Sequence, residues 1–227
     1  MAYSGYRRNL NRSRRTFKRV YGRKGLPWYK RKYNAMELAG KAWSGVKAIR
    51  HLVNSEKLHL VTTSSTGISN TGSVAIFNNI AQGDSISGRT GNSILMSDVL
   101  LRYECVINSS AASTLVRVIV FIDTEQVGDT NPAVSDVLQS VSTLAGLNKN
   151  QPGRFSVLYD RLVSLNSNGT QSFNDKWYLK NMDIHAKYNG TTANDINKNG
   201  IYLLLISDQA TNTPTVSTNL TLGYYDN

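Results

Sequence analysis

From Glu56 onward the chain consists of short apolar and β-branched runs, separated by clusters of Gly, Asn, Ser and Thr. Runs of this kind, bounded by turn-forming residues, are typical of β-strands. Two runs, Val116–Phe121 and Leu203–Ile206, are apolar at nearly every position, which indicates strands that are buried on both faces. The pattern predicts eight strands, near residues 57–65, 74–80, 93–108, 114–123, 155–165, 174–188, 200–207 and 215–225.

Eight strands without intervening helices predict an all-β fold, and we expect an eight-strand antiparallel jelly roll of two packed sheets over residues 56–227. The longest connection, Thr124–Gly153, is expected to form an interface between subunits, together with the Thr66–Gly72 turn, because loops of that length are usually functional. One or two helical turns are expected within Ala133–Leu147. The predicted core residues are Val118, Val120, Phe121, Phe155, Val157, Leu203 and Leu205.

A helical period precedes the strands, in a segment that spans residues 34–55. Asn34 is a plausible N-cap with Glu37 three residues on, and both suit a helix start. Apolar residues then recur every three or four positions, which predicts one short amphipathic helix over residues 35–53. We expect its apolar stripe to dock on the β-domain. Its basic flank is a further candidate for the nucleic-acid-binding surface, and the basic residues are Lys41, Lys47 and Arg50.

Residues 1–33 form a basic N-terminal arm that contains twelve Lys and Arg and no Asp or Glu. Self-repulsion and low hydrophobicity exclude a packed core, so the arm needs an anionic partner, and nucleic acid is the best candidate. The predicted phosphate-binding residues are Arg7, Arg8, Arg12, Arg14, Arg15, Lys18, Arg19, Arg23, Lys24, Lys30, Arg31 and Lys32. The residues predicted to stack on unpaired bases are Phe17, Tyr21, Trp28 and Tyr29. The alternative is a solvated basic tail or a nuclear-import signal.

Charge divides the chain in two. Residues 1–57 carry sixteen Lys/Arg against two acids, a net +14, whereas residues 58–227 carry ten against thirteen, a net −3. This polarity argues against a uniformly basic DNA-binding domain. It also argues against a basic-tailed nucleic-acid-binding protein of the cell, such as a ribosomal protein or a single-strand binder, which would be expected to place basic and aromatic residues on the β surface.

The sequence gives no catalytic or metal-binding motif, and we predict neither an enzyme nor a cofactor or metal site. The three histidines, His51, His59 and His185, form no HExxH motif, and the single cysteine, Cys105, excludes a thiolate zinc cluster. Cys105 is expected to be a buried apolar residue within a strand. No apolar run is long enough to cross a membrane, so no membrane partner is expected.

Three segments carry a family resemblance. They are Phe77–Asp84 followed by Arg89–Ile94, then Arg117–Gln126 followed by Asp136–Leu138, and finally Arg154–Asp160. In this order, together with the Arg-rich arm, they resemble the capsid proteins of small circular Rep-encoding single-stranded DNA viruses. The shells of those viruses share the jelly roll of satellite tobacco necrosis virus.

The resemblance implies a capsid protein that self-assembles, in about 60 copies, into a T=1 icosahedral shell with closed symmetry. It implies that the arm binds single-stranded nucleic acid inside the virion, with the DNA genome as the expected cargo. It further implies the host nucleus during assembly, with nuclear import receptors as partners. Because satellite RNA viruses use the same fold, a capsid protein that packages single-stranded RNA remains the alternative.

Overall fold

The computed structural model describes residues 35–53, 57–126 and 130–226. These residues fall into two compact units, divided between Leu52 and Val53, and each is described by itself. The first contains one α-helix, and the second contains nine β-strands and one short helix. The predicted boundaries of the arm, the helical segment and the β-domain remain predictions.

Helix α1 spans Ala35–Val53, as the apolar period predicted. Glu37 lies in the first turn, where its negative charge interacts favourably with the helix dipole. From Met36 to Ile49 the apolar side chains of the helix are exposed, and Trp43 retains 62 % of its accessible surface. The expected docking of this stripe on the β-domain stays a prediction.

All eight predicted strands are present, and a ninth strand of three residues, β7, was not predicted. The strands are β1 Lys57–Gly67, β2 Ser73–Ile76, β3 Ser93–Val106, β4 Ser113–Asp123, β5 Phe155–Asn166, β6 Ser172–Tyr188, β7 Ile196–Lys198, β8 Gly200–Ser207 and β9 Thr215–Asp226.

The strands form two antiparallel sheets, one with the order β1-β9-β3-β6-β7 and the other with the order β2-β8-β4-β5. In both sheets, strands far apart in sequence are neighbours, as in a jelly roll. The predicted all-β jelly roll is therefore confirmed, and β7 adds a short edge beside β6.

The main core lies between the two sheets. Along β3, alternate residues point inward, so Val99, Leu101 and Cys105 are fully buried. They pack in one cluster with residues of the opposite sheet, and four of the predicted core residues belong to it. Those four are Val118, Val120, Leu203 and Leu205.

A second apolar cluster lies on the other side of the four-stranded sheet, beneath the connection between β4 and β5. This connection contains one helical turn, α2, at Val134–Val137. Val134, Val137 and Leu138 of the connection cover the outward-facing side chains of β4 and β8. The members of the cluster from those two strands are Ile119, Phe121, Tyr202, Leu204 and Ile206.

This third layer explains why β4 and β8 are apolar on both faces. The apolar residues of the β4–β5 connection pack on the subunit's own sheet, and its expected role as an interface between subunits stays a prediction. Two of the predicted core residues are corrected. Phe155 and Val157 are only half-buried, since they lie on β5, at the edge of that sheet.

The thiol of Cys105 should be unreactive toward thiol reagents in the folded protein. Its side chain is fully buried, and burial, with a smaller contribution from Glu104, raises the pKa of the thiol to about 12. The reactive species is the thiolate, so we expect no reaction with Ellman's reagent at pH 8 in the folded subunit. Reaction with one thiol per chain is expected after unfolding in guanidinium, and stoichiometric labelling of the folded protein would contradict the assignment.

Candidate nucleic-acid interface

The predicted interface begins with the arm, and all twelve of its cations and its four predicted stacking residues lie outside the described residues. Their assignment as a nucleic-acid-binding site therefore stays a prediction. The sequence still fixes their charge density, because residues 1–33 carry twelve cations and no acid.

Helix α1 follows the arm and carries exposed cations close to an exposed aromatic ring. Lys41 and Lys47 are both exposed. The Lys47 Nζ lies 5.9 Å from the centroid of the Trp43 ring, within the range of a cation–π contact. An exposed indole beside an ammonium group offers both a stacking surface and a phosphate partner, which suits a single strand.

The β-domain adds cations that the sequence analysis did not assign to a site. On the outer face of the five-stranded sheet, the exposed basic residues are Lys57, Arg102, Lys176, Lys180, Lys187 and Lys198. The net charge of −3 for residues 58–227 is a sum over the whole domain, so it does not show that one face of the domain is basic. Within the predicted strand 174–188, the alternation of side chains places Lys176, Tyr178 and Lys180 on one face, which is the signal for part of this surface.

The β4–β5 connection is anchored at its middle by Arg117 on β4. The Arg117 guanidinium donates two hydrogen bonds to the Asp160 carboxylate, at 2.8 and 2.7 Å, in the bidentate geometry that favours such pairs. Its third nitrogen donates to the carbonyl oxygen of Thr143, at 3.1 Å, and to that of Ala145. The hydrogen bond to Asp160 raises the pKa of Arg117, so the anchor stays charged.

A second anchor closes the base of the same connection. Arg154 donates to both oxygens of Asp123, at 2.9 and 2.8 Å, and to Gln151 Oε1 at 2.8 Å. Asp123 is fully buried and also accepts a hydrogen bond from the backbone of Glu125. The guanidinium lies 4.7 Å from the centroid of the Phe155 ring. These contacts fix both ends of the connection to the sheet.

The anchored connection carries apolar side chains that face solvent. Leu144, between the two carbonyls that Arg117 binds, is 71 % exposed. Val141 and Leu147 are exposed to lesser degrees. Exposed apolar residues on an ordered support are suited to contacts with another protein surface.

A third anchor holds the β2–β3 connection. Arg89 is fully buried and donates to the carbonyl oxygens of Ile80, Gly91 and Gly190. Its guanidinium lies 4.0 Å from the centroid of the Tyr188 ring. It also donates to the side-chain oxygen of Asn92, at 3.3 Å, so this buried arginine is bonded to the protein's own groups and does not present its charge at the surface.

Within residues 35–53, 57–126 and 130–226, no three His, Cys, Asp or Glu side chains lie close enough together to hold a metal ion. His59 and His185 lie on the exposed faces of β1 and β6. In the same ranges, no helix is both long and apolar enough to cross a membrane.

Comparison with known proteins gives a family match over residues 31–227, to the coat protein of satellite tobacco necrosis virus. The chain belongs to this coat-protein family. A relative, the coat protein of Maize white line mosaic satellite virus, is 31 % identical over 153 residues, which cover 65 % of this chain and 69 % of the relative.

Two solved structures resemble the chain more distantly. One is of Desmodium yellow mottle tymovirus, with a TM-score of 0.37 and 5 % identity over 75 % of this chain and 87 % of the other. The second, described as the KBV activated particle at acidic pH, has a TM-score of 0.31 and 13 % identity. It covers 90 % of this chain and 81 % of the other.

The prediction of a viral capsid protein is therefore confirmed, and the coat protein is a structural component of the virion rather than an enzyme. The finer expectation of a circular single-stranded DNA virus is not supported. The matching family is that of the alternative, the satellite-virus coat proteins.

Proposed function

We propose that this coat protein assembles with copies of itself into a small closed shell and packages single-stranded RNA through its basic arm. The observation that carries the proposal is the separation of charge in a coat-protein chain. Residues 1–57 bring +14, whereas residues 58–227 are net −3. A mildly acidic domain can pack beside its copies while the cationic segments meet a common polyanion.

The choice of RNA over DNA rests on the family. The matched family and the 31 % identical relative are both coat proteins of satellite viruses. A satellite-virus capsid protein that packages single-stranded RNA was the alternative in the sequence analysis. Nuclear import receptors and a nuclear stage were expected only from the resemblance to DNA viruses, and they are not part of this proposal.

The shell is proposed to contain about 60 copies, the number expected for a T=1 shell with closed symmetry. The β4–β5 connection supplies the first candidate for a contact between subunits, because Val141, Leu144 and Leu147 are exposed on an anchored support. The Thr66–Gly72 turn is the second candidate, and it exposes Asn70 and Thr71.

Neutralising the arm tests the packaging role. Changing Arg7, Arg8, Arg12, Arg14 and Arg15 to Gln removes five charges per copy, or about 300 per particle of about 60 copies. We expect shells that still form but contain less nucleic acid, measured as a lower ratio of absorbance at 260 nm to that at 280 nm. Lysine at the same five positions is the matched control, because it keeps the charge, and it should package close to the normal amount.

The result has a clear alternative outcome. Unchanged nucleic-acid content in the glutamine variant would show that the arm does not set the amount of packaged nucleic acid.

The identity of the cargo is tested separately, by extracting it from purified particles and treating it with ribonuclease or deoxyribonuclease. We expect degradation by ribonuclease alone, and a cargo that only deoxyribonuclease degrades would contradict the RNA assignment.

A further inference from the structure

The described charges of the β-domain are distributed unevenly between its surfaces. Six cations lie on the outer face of the five-stranded sheet, against three carboxylates, those of Asp98, Glu104 and Asp183, for a net +3. The remaining described residues of 57–226 carry five cations and nine acids, a net −4. The domain is therefore acidic as a whole and basic on this one face.

Two pairs of like charges lie directly opposite each other on neighbouring strands of this face. Arg102 on β3 is the cross-strand partner of Lys176 on β6, and Lys187 on β6 is the partner of Lys198 on β7. Like charges in opposed positions destabilise a sheet. A bound polyanion would offset this repulsion, so the two pairs point to a polyanionic ligand.

The face also offers a stacking surface beside its cations. Tyr178 lies between Lys176 and Lys180 on the same side of β6, and its side chain is 45 % exposed. Lys180 Nζ lies 4.9 Å from the centroid of the Tyr178 ring. Side chains two residues apart on a strand are about 6.8 Å apart, so cation, ring and cation follow one another along the strand.

An open depression of about 530 Å³ adjoins these residues, where β3, β6 and β9 lie side by side. Hydrogen-bonding groups surround it, from Asn174 on β6 and from Ser217 and Asn219 on β9. The charged residues that line it are two cations, Arg102 and Lys176, and two carboxylates, Glu104 and Asp175. Uncharged donors and acceptors beside two cations suit the sugars and base edges of an unpaired strand.

We infer that the outer face of the five-stranded sheet is a second nucleic-acid-binding surface, which holds the packaged single strand through Arg102, Lys176, Lys180 and Tyr178. This inference rests on the proposed packaging function, and it adds a site that is separate from the arm. The arm supplies most of the charge, and the sheet face gives the strand an ordered path along the β-domain.

A matched pair of variants tests the surface in the full-length chain. The face variant is Arg102→Gln with Lys176→Gln. The control is Lys149→Gln with Arg161→Gln, which removes the same two charges from exposed positions elsewhere. Binding of dissociated subunits to a fluorescein-labelled oligouridine is measured at several salt concentrations.

For the face variant, we expect the slope of log affinity against log salt to become shallower by about 1.4, because each lost phosphate contact on a single strand contributes about 0.7. Affinity near 0.15 M salt should fall about tenfold. The control should bind like the unmodified protein. Equal binding by the face variant and the control would overturn the inference.

Photocrosslinking of unmodified particles provides a readout that does not depend on the folding of a variant. After ultraviolet irradiation and digestion, we expect nucleotide adducts on the β6 peptide that contains Tyr178, in addition to adducts on the arm. Adducts confined to the arm would overturn the sheet-face site and leave the packaging role intact. If neither the arm variant nor the face variant loses cargo, both the packaging role and the sheet-face site are overturned.

Discussion

Replacing Arg154 with alanine is expected to lower the free energy of unfolding of the subunit by about 3–5 kcal/mol. Arg154 is the cation that faces Asp123, and the Asp123 carboxylate is fully buried. Without the guanidinium, the hydrogen-bond donor that remains to the carboxylate among the described residues is the backbone N–H of Glu125. The substitution should also release the base of the β4–β5 connection, because Arg154 donates to Gln151 as well.

The measurement is urea unfolding of dissociated subunits, kept below the concentration at which they assemble, since assembly would add its own stabilisation. Lys149→Ala is the matched control, because Lys149 is an exposed cation in the same connection and its loss should change stability by less than about 0.5 kcal/mol. A similar small change for Arg154→Ala would show that the buried pair does not hold the connection.

Truncating Phe121 to alanine should cost about 3–5 kcal/mol, whereas the same change at Phe155 should cost only about 1–2 kcal/mol. Phe121 is fully buried, and its ring stacks on Tyr202 with centroids 5.5 Å apart. Phe155 packs edge-to-face against Phe121, also at 5.5 Å, but it is half-buried on an edge strand. Alanine at Phe121 therefore opens a cavity, and alanine at Phe155 opens a site that solvent can fill.

Phe121→Leu is the control for this comparison, because it preserves most of the buried volume and should cost less than about 1.5 kcal/mol. Unfolding of dissociated subunits in urea, followed by circular dichroism, gives all three values. Equal losses in the free energy of unfolding for the two alanine variants would contradict the difference in burial between Phe121 and Phe155.

The sequence predicted the strands well, because the period of apolar residues is a local property. The Leu203–Ile206 run predicted burial on both faces, and both faces of β8 are indeed covered. What covers the second face was not predictable from the strands. Val134, Val137 and Leu138 give too short a pattern to indicate that a connection would pack on the sheet. Strand β7, with three residues, gives no period at all.

The resemblance to the DNA-virus capsids identified the right kind of protein, a capsid protein, but the match to satellite-virus coat proteins does not support the DNA cargo that it implied. Arg89, Arg117 and Arg154 lie in the segments that carried the resemblance. Each of these arginines holds a connection of the jelly roll in place through carbonyl oxygens or a carboxylate. Residues with that role indicate how the loops are fastened to the fold, and they contain no information on the sugar of the packaged strand.

The order of strands in the sheets has a consequence for how the coat protein is made. The partner of β1 is β9, with Lys57 opposite Tyr225, and the partner of β2 is β8. The ribosome synthesises β1 and β2 long before β8 and β9. The first two strands therefore cannot pair until these later strands have been made. Non-local pairing of this kind makes folding slow. The two sheets can be completed only after β8 and β9 have been synthesised, so a nascent chain that still lacks these strands cannot present the finished surfaces that build the shell.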